Sequence, residues 1–164
     1  MSKSTDQWFT PPRECEMVRL ALGGTIDLDP CGHPRAHVRA LRIVFEQEDG
    51  FRLSWRRYSR IFCNPPYSDP APWAARCRRH AMIDGGDAIL LCKADTSTTW
   101  WHESIWSADA AVCFPFSRMK FSPGPGLSTK TGPKFAIAIV HYGATFRQRF
   151  IDVFKPYGKV IQLP

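Results

Sequence analysis

Short apolar runs of strand length recur along this chain, and segments with helical spacing of apolar residues lie between most of them. The runs are Thr25–Asp29, Ile43–Phe45, Arg60–Cys63, Ala88–Cys92, Ala110–Phe114, Phe135–Tyr142 and Lys159–Leu163. Helical spacing falls at Arg13–Leu22, Pro34–Arg42, Pro72–Ile83, Thr96–Ser107 and Phe146–Phe154. A strand can feed a helix that packs back onto its own sheet, so this alternation predicts an α/β fold. The expected form is Rossmann-like: a doubly wound, mostly parallel sheet with both faces covered. The length of 164 residues suits one core, hence a single domain over 1–164. Residues 1–7 read as a flexible lead, and Ser117–Lys134 as an irregular loop too long for an ordinary connector.

In such a sheet, ligands bind beyond the carboxyl ends of the strands, where the strand order reverses. Three runs end in groups that suit a ligand. The first closes with Asp27-Leu28-Asp29-Pro30-Cys31, whose carboxylates can meet a cationic group. The second leads into Glu46-Gln47-Glu48-Asp49-Gly50, where an acid can accept hydrogen bonds from a ribose or an exocyclic amine. The third stops at Asn64-Pro65-Pro66-Tyr67, which offers two coplanar acceptors and an aromatic face. Each also has a plain structural reading. Two prolines end a central strand by themselves, and Asp27 and Asp29 serve equally as solvated strand-end carboxylates.

Charge narrows the partner. Lys and Arg number 22 against 15 Asp and Glu, a net +7 that suits a polyanion. The loop at 117–134 carries Arg118, Lys120, Lys130 and Lys134 with no acid, a bias that favours nucleic acid. Arg76, Arg78 and Arg79 form a second basic stretch, read as a solvated face with a phosphate role beside it. The six cysteines make no CxxC pair and share no ligand spacing with the five histidines, so they read as reduced core thiols with no metal site. Trp100, Trp101 and Trp106 at helical spacing read as core. No apolar run approaches membrane-spanning length, and the N-terminus lacks a signal segment, which points to a soluble protein inside a cell.

Taken together, Trp8-Phe9-Thr10-Pro11-Pro12, Asp27-Leu28-Asp29-Pro30-Cys31, Glu48-Asp49-Gly50, Phe62-Cys63-Asn64-Pro65-Pro66-Tyr67, Ala94-Asp95-Thr96-Ser97-Thr98 and Arg118-Met119-Lys120-Phe121 resemble the small phage-type DNA N6-adenine methyltransferases. The resemblance spans roughly residues 8–143. It implies a class I methyltransferase-type fold and S-adenosylmethionine as cofactor. It further implies that Thr10 and Pro11 border the methionine part, that Asp27, Asp29, Pro30 and Cys31 line the cofactor pocket, and that Asp49 binds the cofactor adenine. Either Glu46 or Glu48 would take the ribose. Asn64, Pro65, Pro66 and Tyr67 would form the catalytic floor: Asn64 and the Pro65 carbonyl grip the target N6 amino group, and Tyr67 stacks on the flipped ring. Arg118, Lys120, Phe121, Lys130 and Lys134 would contact DNA, Phe121 adding a second ring. The chain departs from the pattern where Pro30-Cys31-Gly32-His33 replaces a glycine-rich loop. The implied setting is the cytoplasm of a bacterial host carrying a phage or prophage. Two other readings stay open: a methyltransferase for RNA or a protein glutamine amide, and a DNA-binding module that no longer turns over.

Overall fold

A computed structural model describes residues 8–123 and 134–164, and among these residues there are nine strands and four α-helices. The strands are β1 (Trp8–Phe9), β2 (Ile26–Gly32), β3 (Ala40–Phe45), β4 (Arg60–Cys63), β5 (Asp87–Lys93), β6 (Ala110–Pro115), β7 (Ser122–Pro123), β8 (Ile137–Tyr142) and β9 (Gly158–Gln162). The helices are α1 (Pro12–Ala21), α2 (Ala71–Arg79), the short α3 (Thr99–Trp101) and α4 (Arg147–Phe154). Helix α1 begins with Pro12 in its first turn, where the missing N–H costs nothing. Helices α2 and α3 each run on into one π-helical turn, His80–Asp84 and His102–Trp106.

Seven strands make one sheet in the order β3-β2-β4-β5-β8-β6-β9, and β1 pairs with β7 as a separate two-stranded ribbon. Alternate residues of the central strands feed two cores. Phe62, Ile89, Leu91 and Ile139 pack with Val18 and Ala21 of α1 and Phe150 and Phe154 of α4. Ile61, Cys63, Leu90 and Val140 pack with Ala74 and Cys77 of α2 and with Trp101 and Ile105. That two-residue period with both sides apolar is why the runs read as buried strands. Trp101 is fully buried, in keeping with the core reading of the tryptophans.

Two expectations need correction. The sheet is mixed: β3, β2, β4 and β5 pair in parallel, whereas β8 is antiparallel to β5 and β6, and β9 antiparallel to β6. The chain from β6 to β8 contains no helix among its described residues and re-enters at the edge it left, so β8 must run backwards. The helix expected at Pro34–Arg42 does not form. Ile26 pairs with Ala40 and Gly32 with Phe45, so residues 33–39 must return along nearly the whole length of β2. Six strand residues span about 20 Å, which an extended link of that length covers and a helix, rising about 1.5 Å per residue, does not.

Candidate active site

The order reversal lies between β2 and β4, since the chain moves from β2 outward to β3 and then back across to β4. At the carboxyl ends of these strands is a cavity of about 310 Å³. Its wall takes Asp29, Pro30 and Cys31 from β2, Glu46, Asp49 and Gly50 after β3, and Asn64, Pro65 and Pro66 after β4. Trp8, Phe9 and Thr10 close one side, with His33 and Trp73 completing the apolar and aromatic part of the lining. His33 stacks on Phe9 at 4.7 Å between ring centroids, and burial, followed by Arg35, lowers its pKa.

Asp29 is the buried charge of this cavity, only 3% exposed. Its Oδ1 accepts the Cys31 N–H at 3.0 Å. Burial nevertheless dominates and pushes the carboxyl up to about 7, because desolvation disfavours the anion more than one N–H supports it. Pro30 faces Gly50 so closely that a Cβ on Gly50 would lie 2.0 Å from the Pro30 carbonyl oxygen. Only glycine lets these two strand-end loops touch. Asp49, just before it, has φ +55°, and its Oδ1 accepts the Phe51 N–H. Trp73 packs on Phe51 at 4.1 Å and on Trp55 at 6.5 Å, and so braces the loop that carries Asp49.

The structure separates the two acids that sequence left open. Glu46 lines the cavity. Glu48 turns away, bonded through Oε2 to the Phe45 N–H and through Oε1 to Arg42. Asp27 is also removed from the cavity wall. It pairs with Arg60 at 2.8 Å and accepts the Ser59 and Arg60 N–H groups, tying the start of β2 to the start of β4. A carboxylate two residues before Asp29 on the same strand lies nearer the amino edge, and Arg60 supplies the charge it needs. Pro11 likewise is not in the wall; it caps α1, with its carbonyl accepting the Cys15 N–H.

Asn64 is held at both ends of its amide. Its Nδ2 donates to the Trp8 carbonyl at 2.9 Å and to Thr10 Oγ1 at 3.1 Å, and its Oδ1 accepts the Tyr67 O–H at 2.9 Å. Tyr67 is 2% exposed, with its ring 5.0 Å from Phe135 and 6.0 Å from Phe121. The ring therefore packs in the core here and presents no open stacking face. Beyond it lies a smaller cavity of about 170 Å³ lined by Phe116, Arg118, Phe121 and Phe135 among others. Asn64 lines the first cavity, and Tyr67 packs on two rings that line the second.

Of the expected nucleic-acid contacts, Arg118, Lys120 and Lys134 are exposed, Phe121 is buried against Trp8 and Tyr67, and Lys130 lies outside the described residues. The arginines of α2 divide. Arg76 lies 4.8 Å over the Trp55 ring and donates to the Leu53 carbonyl, and Arg78 donates to the carbonyls of Glu103 and Ser107. These two serve the fold. Sequence reading missed Trp73 and His33 as wall residues, and also Lys93, whose Nζ sits 4.9 Å over the Phe135 ring. Lys93 carried a signal: it directly follows the apolar run Ala88–Cys92 at the carboxyl end of β5.

Among the described residues no group of three or more His, Cys, Asp or Glu could hold a metal ion, and no helix is long and apolar enough to cross a membrane. A family model described as DNA N-6-adenine-methyltransferase matches residues 1–156. The chain is also similar to the DNA N-6-adenine-methyltransferase of Haemophilus phage HP1 (strain HP1c1), at 25% identity over 117 residues. That match covers 71% of this chain and 66% of the phage protein, slightly under two thirds of its length.

Proposed function

This chain belongs to the DNA N-6-adenine-methyltransferase family, and from that premise we propose that it transfers a methyl group from S-adenosylmethionine to N6 of adenine in DNA. The observation that carries the reading is the placement of Asn64 and Pro65 in the wall of the cavity whose buried carboxylate is Asp29. That cavity suits the cofactor by its groups. Asp29 can face a cationic amino group, Glu46 a ribose, and Asp49 an exocyclic amine, with the rings of Phe9 and Trp73 for apolar contact. Its size falls at the lower end of small-ligand sites. Bound there, S-adenosylmethionine supplies a methyl group on a sulfonium.

The chain's own task is to present the nitrogen. An adenine amino group is a weak nucleophile because its lone pair is delocalised into the ring. Asn64 Oδ1 and the Pro65 carbonyl accept its two hydrogens and favour a pyramidal nitrogen whose lone pair is free to attack. Positioning and electrostatic fit provide the acceleration, without a covalent intermediate. The base reaches this point by leaving the duplex. The hollow lined by Phe116, Phe121 and Phe135 supports entry from that side, with Tyr67 turning to offer its ring. Arg118, Lys120 and Lys134, all exposed, would contact the DNA phosphates. Helices on both faces of the sheet support the doubly wound, methyltransferase-type reading, with a single domain for the whole chain.

The test is incubation with labelled S-adenosylmethionine and unmethylated DNA, followed by separation of nucleosides. Label in N6-methyladenine is expected, and Asn64→Ala is expected to abolish it while cofactor affinity stays within about threefold, since Asn64 acts mainly on the target amine. Label confined to RNA or to protein would replace the reading.

A further inference from the structure

We propose that Thr10, together with the Trp8 carbonyl, aims the Asn64 amide, and that the β1–β7 ribbon holds this aim. Thr10 is then a positioning residue for transfer as well as a wall residue. The inference rests on the function above.

An asparagine amide has two ends of the same shape and opposite polarity. With Oδ1 toward the target amine it accepts a hydrogen; rotated by half a turn it would point N–H groups at N–H groups, and transfer would stop. Something must therefore forbid the rotation. Neither the Tyr67 nor the Thr10 hydroxyl can do so alone, because each both donates and accepts; Thr10 holds the second N–H once the carbonyl beside it has set the direction. The Trp8 carbonyl can only accept. It stands 2.9 Å from Nδ2, with Thr10 Oγ1 at 3.1 Å beside it. Both amide N–H groups are used on this side, and Tyr67 occupies one lone pair of Oδ1. One lone pair of Oδ1 remains for a ligand. Rotation would bring Oδ1 against the Trp8 carbonyl and leave a half-buried acceptor pair repelling.

The aiming groups do not belong to the sheet that carries Asn64. Trp8 pairs with Pro123 and Phe9 with Ser122, and the His37 Nε2 and Ser122 Oγ atoms lie 3.3 Å apart. Thr10 is 2% exposed, and its carbonyl accepts the Cys15 S–H at 3.4 Å, which fixes the segment to α1. Strand β7 directly follows Arg118, Lys120 and Phe121. The segment placed to meet DNA is therefore bonded to the segment that orients the catalytic amide.

Thr10→Val keeps the volume and removes the acceptor, leaving one Asn64 N–H unmet. An unmet, half-buried donor of this kind lowers kcat by up to about tenfold. Because Thr10 also lines the cofactor wall, kcat is read at saturating S-adenosylmethionine, and calorimetry measures any direct loss of cofactor affinity separately. Thr10→Ser restores the oxygen and recovers most of the rate. Thr10→Ala tests the same bond should the valine variant melt well below the native protein. Two results overturn the aiming role: kcat unchanged in Thr10→Val and Thr10→Ala, or a loss confined to cofactor affinity. A native protein that labels no adenine in DNA instead overturns the functional reading on which the inference stands.

Discussion

Asp29→Asn isolates a carboxyl whose burial the fold tolerates at a cost. Asp29 is 3% exposed, and its folded pKa stands at about 7 against an ordinary 3.8. Below pH 3.8 the group is protonated folded and unfolded, and it makes no pH-dependent difference. Between 3.8 and 7 the unfolded chain releases the proton while the folded protein keeps it, so stability falls as pH rises. The slope is about 1.4 kcal/mol per pH unit, and the full loss is on the order of 4 kcal/mol, reached near pH 7. Asparagine keeps an acceptor for the Cys31 N–H and does not titrate. Urea unfolding of both proteins at fixed ionic strength, from pH 4.5 to 8.5, should show the variant gaining on the native protein up to pH 7. Above that the difference should level off. Curves that stay parallel across pH 4.5–7 would refute the assignment of a costly buried carboxyl. The same group links to the ligand. A cationic amino group favours ionised Asp29, so cofactor affinity should fall by up to about tenfold per pH unit below 7.

Glu46→Gln should weaken S-adenosylmethionine binding by about tenfold, the scale of one charge-assisted hydrogen bond, while Glu48→Gln stays within about twofold. Calorimetry on the two variants checks this, and the reverse ranking would return the ribose role to Glu48. Gly50→Ala puts a methyl group 2.0 Å from the Pro30 carbonyl oxygen. It should cost about 1–3 kcal/mol of stability and weaken the cofactor with it; an unchanged thermal midpoint would show that the two loops are not in such close contact.

Much of the site was legible because its chemistry is local. Asn64-Pro65-Pro66-Tyr67 follows a buried strand, and a strand followed by two prolines has to end there. Asp29 ends an apolar run, Asp49 closes the acidic turn that follows another, and both reach the cavity wall. The signal failed where two residues look alike in one dimension. Asp27 and Asp29 are both acids in one run, yet Arg60 across the strand pair claims the first. Glu46 and Glu48 flank one turn, and only the path of that turn sends Glu46 to the cavity and Glu48 to Arg42. Tyr67 reads as a stacking face, but Phe121 and Phe135, more than fifty residues away, cover it.

Sequence alone determined the alternation of strands and helices, the two-sided burial of the central strands, and the chemical character of the groups at three strand ends. These follow from side-chain period and from breakers, which act over a few residues. The direction of β8, the extended return from β2 to β3, and the seating of β1 on β7 came from tertiary structure. Each depends on where distant ends of the chain must meet. The orientation of Asn64 belongs with them. Its amide is symmetric in shape, and the Trp8 carbonyl and Thr10 Oγ1 that meet its nitrogen lie fifty-six and fifty-four residues away.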